Sequence, residues 1–217
     1  MKKIRNNKTE LVFILDKSGS MYGLEADTIG GFNSMLSKQK IQQGDAYVTT
    51  VLFNNDYCVI HDREDIRRVA PMTSKDYAVG GCTALIDAIG KTISHISAIH
   101  KYARKEDVPE NTVFVIITDG MENASHSYNA ESVRRMVEHQ KKKYGWEFIF
   151  LGANIDAVET ARHFGISADR AVNYNCDSRG TALNYEVISD AVSDIRMHAP
   201  MQSNWSARID ADYNSRR

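Results

Sequence analysis

Asp16, Ser18 and Ser20 stand two residues apart in the stretch Asp16-Lys17-Ser18-Gly19-Ser20-Met21. In an extended loop that spacing turns all three side chains to one side, offering a carboxylate and two hydroxyls together. A second carboxylate follows an apolar run, in Thr118-Asp119-Gly120, and a third hydroxyl opens a helical pattern, in Gly80-Gly81-Cys82-Thr83. An all-oxygen set with only two carboxylates suits a hard divalent cation, Mg²⁺ or Mn²⁺. It lacks the His and Cys ligands that zinc favours. Because the hydroxyls are neutral, an ion held there stays electrophilic and can take a further carboxylate from outside.

Such a set needs its loops brought to one end of one sheet. Leu11–Leu15, Val48–Phe53, Val113–Ile117 and 147–151 (Glu-Phe-Ile-Phe-Leu) read as strands from their β-branched and aromatic content. Three of these runs are apolar on both faces, as in the covered centre of a parallel sheet. Tyr57-Cys58-Val59-Ile60 follows Phe53 after three residues, so it returns as an antiparallel edge strand. Ala171–Tyr174 is a weaker sixth. Helical spacing recurs at Ile29, Phe32, Met35 and Leu36, at Leu85 to Ile96, at Val133 to Val137, at Ile155 to Phe164 and at Tyr185 to Met197. Gly165 suits a helix C-cap.

The order predicts an α/β fold: a doubly wound, mostly parallel six-stranded sheet with one antiparallel edge strand and helices on both faces, Rossmann-like in plan. Ligands of such sheets lie beyond the carboxyl ends of the strands, at the switch in strand order. That is where the five candidate residues fall. Residues 1–200 read as a single domain and 201–217 as a polar, Arg-ended tail expected to be partly ordered.

The pattern Asp16-x-Ser18-x-Ser20, with Thr83 in Gly-Gly-Cys-Thr-Ala-Leu and Asp119 in Thr-Asp-Gly, resembles the metal-ion-dependent adhesion site (MIDAS) of von Willebrand factor type A (VWA) domains. The resemblance covers roughly residues 9–175, since the order of elements matches too. All five positions carry the expected residue types. The resemblance implies that the serines and threonine coordinate the ion, with the aspartates acting directly or through water. It also implies a protein-binding module without catalysis, whose ion accepts an Asp or Glu from a partner protein. Bacterial and phage members of this single-domain size often work inside cells, some beside AAA+ ATPases or in stress-response assemblies.

Other readings are simpler. Asp16, Ser18, Ser20 and Thr83 are each good helix caps. Asp16 at a strand end can also serve as the nucleophile of a Mg²⁺-dependent phosphohydrolase, but Ser18 replaces the second carboxylate that chemistry uses. Glu122 and Asn123 either meet a partner or hold their own loop, the latter being favoured. Met21, Tyr22 and Met121 are candidates for a rim that selects the partner. Cys82 is expected to be buried and inert, His126 solvated. His95 and His100 lack metal-ligand spacing.

The 217 residues carry 27 Lys plus Arg against 28 Asp plus Glu, a balance that argues against nucleic acid and acidic membrane surfaces as partners. Three scattered cysteines, a basic start without a signal-like apolar stretch, and the absence of a run long enough to span a bilayer lead to an expected cytoplasmic location.

Overall fold

A computed structural model describes residues 6–216; the basic segment before Asn6 lies outside the described residues. The elements run β1 (Lys8–Asp16), α1 (Glu25–Lys40), β2 (Asp45–Phe53), β3 (Tyr57–Asp65), α2 (Leu85–Tyr102), β4 (Asn111–Thr118), α3 (Ala130–Tyr144), β5 (Glu147–Gly152), α4 (Ala157–His163), β6 (Ala171–Asn173), α5 (Ser178–Arg196) and α6 (Ala207–Ser215). The six strands form one sheet in the order β3-β2-β1-β4-β5-β6. All neighbours are parallel except β2 and β3. This is the doubly wound, Rossmann-like arrangement with one antiparallel edge.

The central strands are covered on both faces, which explains their unbroken apolar runs. On one face Leu11, Phe13 and Leu15 pack with Phe32 and Met35 of α1 and Ile188 and Val192 of α5. On the other, Val12, Ile14, Phe114 and Ile116 meet Leu85, Ile89 and Ile93 of α2 and Val133 and Val137 of α3. α1 and α5 lie close enough that a Cβ on Gly31 would sit 2.3 Å from the Tyr185 ring, so only glycine fits there.

Helix ends differ in how they are made. Asp156 and Asp177 cap α4 and α5, accepting from Glu159 N and Gly180 N, and Asn129 and Ser132 form a capping box on α3. The Asp177 cap starts α5 at Ser178, seven residues before the first apolar repeat marks it at Tyr185. Gly165 follows α4 in the left-handed conformation, φ 77°. Within the 201–217 tail, α6 buries Ile209 in the core beside β6 and α5.

β3 runs opposite to the others, so it ends at their amino side. Residues 66–84 must therefore return to the carboxyl side before α2 can begin. That return path carries Tyr77 and Thr83 to the switch point, where β1 lies between β2 and β4.

Candidate metal centre

Leu15 is level with Ile117 across β1 and β4, so Asp16 and Thr118 form the next rung and Asp119 leaves β4 directly beyond it. Thr118 Oγ1 donates to Asp16 Oδ2 at 2.6 Å, and Ser18 N donates to Asp16 Oδ1 at 2.7 Å. The Tyr77 hydroxyl donates to the Asp16 carbonyl. The loop is not extended throughout: Gly19–Met21 is a single 3₁₀ turn. The turn still leaves the Ser18 and Ser20 hydroxyls 3.0 Å apart, and Ser20 Oγ donates to Asp119 Oδ1. A Cβ built on Gly120 would lie 3.2 Å from both Ser20 Oγ and Thr83 Oγ1, so these hydroxyls flank the same glycine. The structure thus gathers all five sequence-derived candidates at one end of the sheet.

Asp16, Ser18, Thr83 and Asp119 are buried, while Ser20 faces solvent. None of the hydroxyls serves as a cap. Ser18 precedes its 3₁₀ turn without a side-chain bond to it, and the N-cap positions of α1 and α2 are Leu24 and Ala84, so no hydroxyl of the set caps either helix. The capping alternative therefore does not account for these residues.

The electrostatics are unbalanced. Asp16 and Asp119 are each 1% exposed. Their partners are hydroxyls, a backbone N–H and the Cys176 thiol, which donates to Asp119 Oδ2 at 3.3 Å; none is a cation. Burial pushes the Asp16 carboxyl above its ordinary value, against the pull of its bonds from Thr118 and Ser18, and the nearby Asp119 charge adds to the rise. Burial and Asp119 push the Cys176 thiol up to about 12. Two buried carboxylates with hydroxyls between them suit a divalent ion, which would supply the missing charge. Among the described residues no three His, Cys, Asp or Glu side chains are grouped to hold a metal, so a site here depends on its hydroxyls.

Several neighbours escape the sequence reading. Thr118 is visible as part of Thr-Asp-Gly, but its bond to Asp16 follows only from strand register. Tyr77 and Cys176 arrive from distant segments and carry no local signal. Met21 is buried, 2% exposed, and so is not a rim residue; Tyr22 and Met121 are 83% and 72% exposed and flank the loops. Cys82 is exposed rather than buried, since it lies in the loop three residues before α2 begins at Leu85. Glu122 and Asn123 hold their loop, bonding to the α2 start. His126 is solvated, while His95 and His100 meet Asp62 and Glu10.

These features define a doubly wound α/β domain with a hydroxyl-and-carboxylate cluster at its switch point. No family model matches the sequence, and no curated protein does. Solved structures do resemble it. The pilus adhesin SpaC of Lactobacillus rhamnosus GG, in an open conformation, aligns with a TM-score of 0.66 at 10% identity, over 90% of this chain and 31% of that one. Proximal thread matrix protein 1 of the mussel byssus, with a zinc-occupied MIDAS motif, gives 0.59 at 10% identity, over 84% and 47%. A von Willebrand factor type A protein from Catenulispora acidiphila gives 0.56 at 14%, over 86% and 42%. The chain thus has the von Willebrand factor type A fold and spans less than half the length of each of these three proteins. Among the described residues no helix is long and apolar enough to cross a membrane.

Proposed function

We propose that this domain is a divalent-metal-dependent protein-binding module. Ser18, Ser20 and Thr83 hold Mg²⁺ or Mn²⁺ through their hydroxyls, with Asp16 and Asp119 acting directly or through water. The ion then accepts an Asp or Glu side chain from a partner protein, and the domain performs no catalysis of its own. The observation that carries this reading is the pair of carboxylates, each 1% exposed and without a cationic partner. Supporting it, the hydroxyls are not spent on caps, Ser20 opens the cluster to solvent, and Tyr22 and Met121 supply apolar contact beside it. The metal site named for the mussel protein of the same fold points the same way. Service as a regulatory subunit of an ATPase or stress-response assembly is compatible, with the ion as docking point.

A Mg²⁺-dependent phosphohydrolase using Asp16 fits less well. Ser18 stands where that chemistry needs a second acid.

Calorimetric titration of Mg²⁺ and Mn²⁺ into metal-stripped protein tests the proposal. The expected result is saturable binding that disappears in Asp16→Ala while the circular dichroism stays native. Equal binding by the variant, or none by folded wild type, rejects it. Phosphate release from a generic phosphoester, lost in Asp16→Asn, would favour the hydrolase.

A further inference from the structure

α2 begins without a cap of its own. Its first residues follow Ala84, which has no side chain to offer, yet they carry N–H groups that need acceptors. The loop after Asp119 supplies them. Glu122 Oε2 accepts from Ile86 N at 2.8 Å, and Ser125 Oγ accepts from Asp87 N at 2.9 Å. The exchange is returned: Asp87 accepts from Ser127 N at 2.9 Å and Tyr128 N at 2.8 Å. Asn123 closes the join at the candidate ligand itself. Its Oδ1 accepts from Thr83 N at 2.8 Å, and its own N–H donates to the Thr83 carbonyl at 3.0 Å.

We propose that Asn123, with Glu122, Ser125 and Asp87, positions Thr83 against Asp119, so that the two loops form one rigid unit before any ion arrives. This rests on the metal-site reading above. The bonds converge on the two segments that bring the third hydroxyl and the second carboxylate, which no strand pairing joins directly. Glu122 and Asp87 spend their carboxylate oxygens on backbone N–H groups, so they act as holders of the loops and not as ligands. Outer partners of this kind typically govern metal affinity by 10–100-fold.

The test separates positioning from plain stability. Mg²⁺ affinity and the unfolding temperature of the metal-stripped protein are measured for wild type, Asn123→Ala and Gln140→Ala. Gln140 bonds Ser97 between α3 and α2, at 2.7 Å, away from the ligand loops. The expected outcome is a roughly 10–100-fold weaker Mg²⁺ affinity in Asn123→Ala and an unchanged affinity in Gln140→Ala, even where both melt earlier. Ser125→Ala, a milder change with the same expected direction, serves if Asn123→Ala does not fold. Unchanged affinity in the Asn123 or Ser125 variant, or equal weakening in Gln140→Ala, overturns the positioning role while the metal site stands. No saturable binding by wild type removes the metal site and this inference with it.

Discussion

The two ends of the sheet treat buried charge in opposite ways. At the amino end, Glu10 of β1 is fully buried, and its Oε2 lies 2.8 Å from Arg63 Nε and 3.1 Å from His100 Nε2. Arg196 is buried there too. It donates to the Gln39 carbonyl in the last turn of α1 and to the Gly44 carbonyl, acceptors that favour a cation. At the carboxyl end, Asp16 and Asp119 are as deeply buried and receive only neutral donors. Burying charge without compensation is costly. Glu10 thus meets the cost with a cation of its own chain, Arg63, whereas Asp16 and Asp119 have none.

Glu10→Ala gives the largest expected effect. It strands Arg63 and His100 beside the core and should cost about 3 kcal/mol of stability, read from denaturant unfolding. Mg²⁺ affinity should stay as in wild type; a parallel loss of affinity would break the separation between the ends. Asp87→Asn comes next, because Asp87 shares the carboxyl end yet is compensated from within. Burial raises its pKa, but the N–H groups of Tyr128, His126 and Ser127 outweigh this and hold it below its ordinary 3.8. With the folded value depressed, its stabilisation is complete above pH 3.8 and is lost as pH falls through the depressed value. The variant should lose about 1 kcal/mol at neutral pH and show a flatter acid limb in thermal melts. An unaltered acid limb would mean the N–H groups do not favour the charged form. The effect smallest in stability is read by labelling, where no change in folding is expected. In metal-stripped protein the Cys176 thiol, at about 12 against an ordinary 9.0, should react with iodoacetamide about 10³-fold more slowly than an unperturbed thiol. Exposed Cys82 should label first by mass spectrometry. Matching rates would mean that neither burial nor the Asp119 charge raises the Cys176 thiol.

Those charges also mark how far the sequence could be read. Strands such as Val113–Ile117 declare themselves because burial on both faces demands unbroken apolar residues. The hairpin to β3 follows from a three-residue gap that permits no crossover. The five candidate ligands stand out because their types recur at strand ends. Cys176 and Tyr77 were not legible, since their bonds to Asp119 and Asp16 depend on how residues 66–84 and the β6–α5 connection settle. The start of α5 at Ser178 was hidden because its first turns bury Gly180, Thr181 and Asn184 rather than large apolar side chains. The capping role of Glu122 and Ser125 joins them to N–H donors nearly forty positions away in α2, and local spacing cannot show that.

The borders of the sheet have a consequence for how the molecule meets others. β3 slips register twice against β2 and places Arg63 in the left-handed region, φ 48°, within an Asp62-Arg63-Glu64-Asp65 run. β6 is only three residues long. A bent, charged strand on one side and a stub on the other make poor templates for a foreign strand. Both borders therefore resist strand addition, whether by a second copy of the domain or by any other extended chain.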